Sequence, residues 1–546
     1  MDSVVSTSSG RRGSWLTPLL LATLAVALAV IAYANSLDGP FTFDDRHEIL
    51  TNQSIENLRL LRTVLLEHGL RPLTNLSYAV DYALWSGRNA FGFHVTNVVL
   101  HAANVVMLFL LARWLARGDG SDQTSASLTG FLAAALLAVH PVMTEAVSYV
   151  SSRSELLVTL MCLLTVYAFR RSVVDGRRWF ALGSICLLLA LAAKETAAII
   201  PFVLLTADLI FSDKAASRRR LWRWHAPLCA LIIAAGLVRT QRYLALEVHG
   251  AESAMTWQNA ATVALIAVRY LGLLILPHGQ SVVPPVYPIA SIWDIRLVIV
   301  LVSFVAIAVV TVRVRRHAPL ATFGLIWFAL ALVPSSVLGL LAETGLLMAE
   351  HRVYLPSCGF FMAVAALLVP QVSRQTATLR RLVVIGGAVA ATLLVLGYLT
   401  LERNQVWADP VRLWEEAARL APDTPAAHLG LGNEYRNTGQ CDRAQPAYKR
   451  TIELSPISTD AYLGLASCLL ARNQMIEAYR ILREAMDNVP PGEIRIRLAL
   501  AGLEESEFRR PAEAVRLCQE VLAIQPRDSN ALDCVRRNQS QPSRQP

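Results

Sequence analysis

Apolar segments recur from about residue 15 to about residue 401, and they constrain the fold of this chain more than any other feature. Many of them approach the ~20 residues that a helix needs to cross a bilayer. Together with 54% hydrophobic and only 17% charged residues, they indicate a multi-pass membrane protein and exclude one large soluble domain. The segments lie near residues 15–35, 93–113, 128–147, 155–170, 178–193, 196–211, 225–240, 259–276, 294–312, 320–341, 352–370 and 382–401.

Arginine clusters between these segments predict the orientation of the chain. Cytoplasmic loops carry an excess of Lys and Arg, and four such clusters lie near residues 170–178, 218–223, 313–316 and 374–381. The formal charge of +9 is interpreted in the same way and does not indicate nucleic-acid binding. We expect a cytoplasmic N-terminus, with residues 15–35 as an uncleaved first span rather than a signal peptide.

One region conflicts with this orientation. The segments 225–240 and 259–276 both lie between residues 224 and 293, where an odd number must cross. We expect one of them to lie along the membrane interface or to re-enter it. The prediction is therefore an all-α fold with about eleven transmembrane helices. Its catalytic loops and C-terminal tail then lie together on the periplasmic or extracytoplasmic side.

A proline repeat marks the C-terminal part of the chain. Pro422, Pro456 and Pro490 are 34 residues apart, and Pro526 follows 36 residues later. Residues between them recur with the same spacing: Ala427 and Ala461, Gly430 and Gly464, Leu431 and Leu465, Ala444 and Ala478. This period is typical of tetratricopeptide repeats, which stack helical hairpins into a superhelix with a concave binding face. We predict a recognition module without catalytic chemistry of its own.

These patterns divide the chain into a membrane domain at 1–401 with a first external loop at 36–92, a junction and leading half-repeat at 402–421, about three repeats at 422–534, and a disordered tail at 535–546. Apolar residues at 55, 58, 61 and 65 of the loop have helical spacing and predict a helix in the membrane interface. The tail cysteines Cys441, Cys468, Cys518 and Cys534 lack metal-ligand spacing. Disulfides among them suit an exported tail, but sequence alone does not pair them.

Ionisable residues collect on the non-cytoplasmic face of this topology. Such groups are costly at span ends, so functional use is the default hypothesis. Asp44 and Asp45 follow the first span directly, and an interfacial turn or helix cap is the alternative for them. Three further alternatives are hydrogen bonds to neighbouring helices for His101 and His140, an Arg153–Glu155 surface ion pair, and a polar corner at Lys194 and Glu195. The other candidates are Arg71, His94, His140, Glu145, Arg153, Lys194, Glu195, Glu350, His351, Arg352 and Tyr354.

A carboxylate facing cations at a membrane surface suits transfer from a lipid-linked sugar phosphate. The carboxylate can accept the proton of an incoming hydroxyl as general base. Arg, Lys and His can neutralise the departing phosphate. Metal binding is the weaker interpretation because no HExxH-type histidine pair occurs. No cofactor is predicted to be required, and a divalent cation stays an open option.

Several stretches occur in an order that resembles one known family. They are FTFDDRHEILTN, RPLTNLSYAVDY, FGFHVTNVVLHAANVVMLF, AVHPVMTEAVSYVSSRSELL, AKETA and AEHRVYLPSCGF, followed by RNQVWADPVRLWEEAARLAPDTPAAHLGLGNEYRNTG. Over nearly the whole chain the sequence resembles the transmembrane and tetratricopeptide-repeat-containing O-mannosyltransferases, in a bacterial-type version with a short repeat array. The resemblance implies a GT-C membrane glycosyltransferase fold and a polyprenyl-phosphate sugar donor, with mannose the favoured sugar. It also implies inverting transfer to Ser or Thr hydroxyls.

The resemblance also implies roles for individual residues. By position, Asp44 is the leading base candidate and Asp45 its partner. Arg153, Lys194 and Arg352 are the candidates for contact with the donor phosphate. The implied partners are the donor, membrane lipids and a protein acceptor held by the repeats. The second tier of pocket residues is Arg71, His94, His140, Glu145, Glu195, Glu350, His351 and Tyr354.

Two other functions fit parts of the sequence. A non-enzymatic assembly factor would use the membrane part as an anchor for the repeats, but an anchor needs one span rather than about eleven. A polysaccharide polymerase or oligosaccharide ligase would also be polytopic, and it would transfer a long glycan instead of one sugar.

Overall fold

The structure, a computed structural model, describes residues 13–66, 71–118, 121–230, 232–234, 237, 256–341, 347–373 and 379–539. Helices and turns account for all regular structure in these ranges, which contain no β-strand, and the all-α fold class is confirmed. The chain divides into two compact units. A membrane unit comprises residues 1–280 and 286–409, and a repeat unit comprises residues 410–546 with the short segment 281–285.

The predicted apolar segments that lie in the described ranges of the membrane unit are helical. Arg177–Ala193 and Ile200–Phe211 have only 17 and 12 residues. The segment 225–240 lies partly outside the described residues, so which segment of its pair fails to cross stays a prediction. The helices are Gly13–Tyr33, Leu61–Leu66, Pro72–Leu84, Ala90–Gly118, Gln123–Val139, Thr144–Val147, Arg153–Asp175, Arg177–Ala193, Ile200–Phe211, Lys214–Arg220, Trp257–Ile275, Ile295–Val314, Pro319–Leu341, Tyr354–Ser373 and Leu379–Trp407.

Seven described helices are long and apolar enough to cross a membrane, or eight if one bent pair counts as a single span. The bent pair is Gln123–Val139 with Pro141–Val147, whose axes differ by 58°. The predicted count of about eleven is therefore not confirmed. The seven are Leu16–Ser36, Ala90–Gly118, Val150–Asp175, Trp257–Ile275, Ile295–Val314, Glu350–Pro370 and Val383–Trp407.

Small residues let the membrane helices approach closely. A side chain at Gly324 would overlap the backbone of Gly359 on the neighbouring helix. Such close approach is the usual basis of helix packing in membranes, where burial of apolar surface between helices supplies little. A glycine also forms a tight connection between two of these helices. Gly176 has φ +86°, which allows this single residue to link Arg153–Asp175 to Arg177–Ala193.

The first external loop folds onto the ends of the membrane helices around a small apolar cluster. Its buried members are Ile49, Ile55, Val64, Tyr78, Ala79, Phe93 and Val150. The single interfacial helix predicted from positions 55–65 was wrong in extent: residues 53–60 form turns, and only Leu61–Leu66 is helical. Ile55 is buried in the loop's own core and Leu58 packs against it, whereas Leu61 is exposed. Pro72–Leu84 continues the loop and returns the chain to the next span.

The repeat unit contains three helical hairpins between a leading and a trailing helix. Pro422, Pro456, Pro490 and Pro526 each lie two residues after the end of a helix, as expected for a residue that cannot continue one. Tetratricopeptide repeats are thereby confirmed. The helices are Pro410–Leu420, Pro425–Asn437, Cys441–Leu454, Thr459–Ala471, Met475–Asn488, Arg495–Ser506, Pro511–Ile524 and Ser529–Gln539.

Two expected boundaries differ from the structure. The last membrane helix extends to Trp407, beyond the expected boundary at 401, because residues 402–407 continue its helical backbone after the apolar run ends. The tail expected to be disordered from residue 535 is helical to Gln539, and residues 540–546 lie outside the described part of the chain.

The tail cysteines form two pairs, Cys441–Cys468 and Cys518–Cys534. Each pair joins one helix of the array to the next along the chain. The four cysteines that the structure describes in the membrane unit, Cys162, Cys186, Cys229 and Cys358, are unpaired.

Candidate functional site

A cavity of about 110 Å³ lies where the first external loop meets the polar ends of the membrane helices. Asp44, Arg71, Lys194 and His351 were predicted site residues, and all four line it. They come from the loop, the start of Pro72–Leu84, the corner after Arg177–Ala193 and the turn before Tyr354–Ser373. The full lining is Asp44, Glu48, Arg71, Thr74, Asn75, Tyr78, Tyr149, Ser151, Ser152, Ser154, Lys194 and His351.

The acidic pair is split between two surroundings. Asp44 is exposed to the cavity, whereas Asp45 is completely buried. The backbone N–H of Thr42 donates to Oδ2 of Asp45 at 3.0 Å, and Ser151 donates to Oδ1 from its backbone N–H at 2.7 Å and its hydroxyl at 2.5 Å. Burial raises the pKa of Asp45 to about 7, although these hydrogen bonds oppose that rise. Asp45 therefore ties the loop to the helical turn at 150–152.

Asp44 is paired with a tyrosine. Its backbone N–H donates to the hydroxyl of Tyr149 at 3.1 Å. Burial raises the pKa of the Asp44 carboxyl above its ordinary value, and the hydrogen bond with Tyr149 works in the opposite direction. The tyrosine ring stacks between Phe43 and Trp407, with centroid separations of 6.0 and 5.5 Å. A clamped ring holds its hydroxyl at the carboxylate.

The turn that presents the acidic pair is strained. Phe43 has φ +49°, a left-handed conformation that a bulky side chain rarely adopts. The surrounding contacts maintain this conformation, and such strain clusters at functional sites. The consequence is that consecutive aspartates point to different places, one into the cavity and one into the protein.

Two ion pairs supply the positive side of the cavity. Arg71 bonds Glu195 at 2.9 Å, and Nζ of Lys194 bonds Glu155 at 2.8 Å. Lys194 is buried, while 42% of the Arg71 side chain is exposed. Burial lowers the pKa of Lys194, and the charge of Glu155 offsets part of that effect. Burial also favours the neutral form of Glu195, but Arg71 and Lys194 outweigh it and lower the Glu195 pKa to about 2.

A second polar group lies behind His351. Nδ1 of His351, protonated in this tautomer, donates to Oε1 of Glu145 at 2.7 Å, and the backbone N–H of Glu350 donates to Oε2 at 2.7 Å. The Glu350 carboxylate accepts from Gln280 at 2.9 Å. Glu145 and Glu350 are buried, so they orient the histidine rather than line the cavity. Arg352 is half-buried in the same turn and is also absent from the lining.

Arg153, predicted to contact the donor phosphate, lies in the protein interior. It is fully buried, with an ion pair of 2.6 Å to Asp81 and donated hydrogen bonds to Asn97 at 2.7 Å and the Phe93 carbonyl at 2.9 Å. Its remaining Nη1 points to Ser77. A guanidinium with this set of partners has no donor left for a phosphate. The alternative of a surface ion pair with Glu155 is also wrong, since Glu155 bonds Lys194.

Three second-tier residues also lie away from the cavity. Nε2 of His94 donates to the Gly39 carbonyl at 3.0 Å, and Nε2 of His140 donates to the Leu274 carbonyl at 3.1 Å. The hydroxyl of Tyr354 is hydrogen-bonded to Nδ1 of His101 at 2.6 Å. All three side chains are buried and none lines the cavity. For His140 this matches the alternative of a hydrogen bond to a neighbouring helix.

Sequence reasoning missed Tyr149, Glu48, Ser151 and Glu155 as members of the site. Tyr149 and Ser151 are not charged, so a search for ionisable residues at span ends passed over them. The available signal was their position in the stretch YVSS, a polar break directly before an apolar segment. Among the described residues, no group of three or more His, Cys, Asp and Glu side chains is arranged to hold a metal ion.

Comparisons with known proteins match the two units separately and together. A family model for tetratricopeptide repeats matches residues 429–493. The protein O-mannosyl-transferase Tmtc1 of Drosophila melanogaster is 26% identical over 80% of this chain and 62% of its own length. Protein O-mannosyl-transferase F38B6.6 of Caenorhabditis elegans is 22% identical over 79% of this chain and 62% of its own length.

A human relative, protein O-mannosyl-transferase TMTC1, is 23% identical over 84% of this chain and 58% of its own length. The chain thus spans about three fifths of the length of these curated relatives. These matches confirm the resemblance that the motifs indicated, and the chain is a homologue of proteins named O-mannosyl-transferases.

Proposed function

We propose that this homologue of the transmembrane and tetratricopeptide-repeat-containing O-mannosyltransferases is itself a membrane glycosyltransferase. It moves one sugar, mannose by resemblance, from a polyprenyl-phosphate donor to Ser or Thr hydroxyls of an exported protein. One observation carries the proposal: a single cavity is lined by Asp44 together with Arg71 and Lys194. This is the charge arrangement that glycosyl transfer with a phosphate leaving group requires.

In the proposed reaction Asp44 is the general base. The acceptor hydroxyl oxygen forms a bond to the anomeric carbon while the bond from that carbon to the phosphate oxygen breaks. The hydroxyl proton passes to Asp44, and the electron pair of the broken bond leaves with the phosphate. Because the acceptor attacks opposite the leaving group, the configuration inverts.

Arg71 and Lys194 stabilise the charge that develops on the departing phosphate. Both already balance a carboxylate, Glu195 and Glu155 respectively, which fixes their position before the donor arrives. Arg71 is the more exposed of the two and offers a guanidinium fork suited to two phosphate oxygens. We therefore place Arg71 ahead of Arg153 and Arg352 as a phosphate contact, and retain Lys194.

Asp45 is proposed as a positioning residue rather than a second base. Its carboxylate accepts three hydrogen bonds and has no surface toward the cavity. Its role is to hold the strained turn so that Asp44 faces the acceptor.

The repeats are proposed to hold the protein acceptor, on the same extracytoplasmic side as the cavity. The disulfides Cys441–Cys468 and Cys518–Cys534 support this side, because such bonds persist in oxidising compartments and are rare in the cytosol.

Asp44→Asn tests the proposal. Removal of a general base costs about 10²–10⁴-fold in rate, so transfer of labelled mannose from polyprenyl-phosphate mannose to exported protein should fall by at least about 100-fold. The matched control is Asp38→Asn, an exposed aspartate of the same loop outside the cavity, which should keep activity. Wild-type rates in Asp44→Asn would rule out the mechanism.

Mass spectrometry of exported proteins from wild-type and knockout cells tests the reaction class. The proposal expects acceptors that lose a single hexose in the knockout. A ladder of repeat units would instead identify a polymerase or ligase, and no change in glycosylation would favour an assembly factor.

A further inference from the structure

A short basic helix lies on the membrane unit, and none of its residues lines the cavity. Lys214–Arg220 continues directly into a wide helical turn, Leu221–His225, with the sequence KAASRRRLWRWH. One side of it packs on the protein, where Ser217 and His225 are buried and Arg220 is half-buried. The segment is therefore a fixed structural element with an inner and an outer face.

Asp208 pins the inner face. This carboxylate, in the last turn of Ile200–Phe211, bonds Arg220 at 2.8 Å and His225 at 2.8 Å. Its other oxygen bonds Arg170 at 2.6 Å, which also donates to Ser212 at 2.8 Å. Asp208 thus bonds Arg170 of Arg153–Asp175 and both Arg220 and His225 of the basic segment. The two residues of the basic segment lie on its inner face.

The outer face carries three basic side chains that form no ion pair within the described residues. Lys214, Arg218 and Arg219 are exposed, and none forms an ion pair with an acidic side chain in the described part of the chain. Together with Ala215 and Trp222 they line an open groove of about 610 Å³. Trp222 is 72% exposed. Large exposed tryptophans beside Arg and Lys are typical of segments that lie at the level of lipid headgroups.

We propose that this groove binds the headgroup of an anionic phospholipid. Two guanidinium groups and one ammonium surround the position that the lipid phosphate would take, and guanidinium recognises phosphate oxygens in pairs. The tryptophan covers the glycerol and upper acyl region. The cluster is one of those predicted to be cytoplasmic, and the cytoplasmic leaflet is the anionic one. The site is independent of the proposed transfer reaction.

Native mass spectrometry of the detergent-purified full chain tests the site. The probes are phosphatidylglycerol and, as a neutral-headgroup comparison, phosphatidylcholine. Wild-type protein should retain phosphatidylglycerol selectively. The variant Lys214→Gln/Arg218→Gln/Arg219→Gln should bind it at least about tenfold more weakly. Each basic residue near an anionic surface strengthens binding about fivefold, and this variant removes three of them. Trp222→Leu should weaken retention without removing the selectivity for the anionic lipid.

A charge-matched control is Arg313→Gln/Arg315→Gln/Arg316→Gln, which removes three exposed cations from another predicted cytoplasmic cluster that does not line this groove. It should leave binding unchanged. An equal loss in the control, or full binding by the groove variant, would overturn the proposal. So would displacement of the lipid by inorganic phosphate at equal concentration, because the ligand would then be free phosphate. A monodisperse gel-filtration profile confirms that each variant is folded.

Discussion

At the scale of single residues, the neighbours Asp44 and Asp45 show that a pair in sequence need not act as a pair. The left-handed turn at Phe43 sends one side chain into the cavity and the other into a cage of three hydrogen-bond donors. The Asp45 carboxylate is out of reach of an acceptor hydroxyl because it is fully buried and both of its oxygens accept hydrogen bonds from the protein. The separation of roles follows from these contacts and from burial, not from the chemistry of the residue type.

Tyr149→Phe should move the pH dependence of transfer. The hydroxyl of Tyr149 lowers the pKa of Asp44, so its removal raises that pKa further. Asp44 must be unprotonated to act as base, and the acidic limb of the rate profile therefore moves to higher pH. A pH–rate profile measures this. Tyr78→Phe is the control, since its hydroxyl lines the same cavity but donates to the Val150 carbonyl. An unchanged acidic limb in Tyr149→Phe would contradict the pairing.

Arg153→Met and Arg71→Gln should affect different properties, the first the stability of the protein and the second the KM for the lipid donor. Arg153→Met leaves Asp81 buried without its partner, which costs about 3–5 kcal/mol of stability. The partly exposed Arg71–Glu195 pair contributes only about 0–1 kcal/mol, so Arg71→Gln should fold normally and raise the KM for the lipid donor. Thermal unfolding in detergent and donor kinetics separate the two. A stable Arg153→Met with a raised KM would restore Arg153 as a phosphate contact.

At the scale of elements, the repeat hairpins depend on glycines at helix crossings. Gly430 and Gly464 occupy equivalent positions in successive repeats, and an added Cβ at either would overlap an aromatic ring, Trp414 or Tyr448. The 34-residue period therefore records a packing requirement. The same argument applies to the membrane helices at Gly324, where the obstacle is backbone.

Gly430→Ala should destabilise the repeat unit in the full chain. Overpacking of this kind costs about 1–3 kcal/mol. Gly502→Ala is the matched control, because it is also a helix glycine of the array and meets nothing within 4 Å. There alanine should be neutral or stabilising, by up to about 1 kcal/mol. Limited proteolysis across a temperature series measures both. Equal protease resistance of the two variants would refute the packing argument.

At the scale of the whole molecule, the proposed reaction requires the cavity and the repeats to face the same compartment. The apolar helices establish a multi-pass protein, and the distribution of arginines predicts its orientation. The cysteines give an independent indication, since the four of the repeat unit are paired and the four described in the membrane unit are not.

Protein isolated from its native membrane should contain both disulfides. Peptide mapping without reduction should yield linked peptides for Cys441–Cys468 and Cys518–Cys534, with the buried Cys162, Cys186 and Cys358 alkylated only after unfolding. Free thiols at all four repeat positions would place the array in a reducing compartment. Reporter fusions after residue 38 and at the C-terminus provide the second test. Opposite sides for the two reporters would exclude the proposed enzyme.

Sequence alone was sufficient where periodicity and composition carry the information. Spanning-length apolar runs predict membrane helices because the bilayer sets their length. The 34-residue period predicts the repeats because each unit buries its face only against the next. The sequence motifs also include the first external loop, the acidic pair and two basic residues of the cavity, Arg71 and Lys194.

Only the tertiary structure decided which polar residues are available for chemistry. Arg153, His94 and Tyr354 are as ionisable or polar in sequence as Lys194, yet all three are buried and none of them lines the cavity. Tyr149 carries no charge, and it is held at the site by ring stacking and by the hydrogen bond from the Asp44 backbone. The type of a side chain can be read from the sequence. Whether that side chain is available to contact a substrate depends on groups about a hundred residues away, which only the folded chain brings to it.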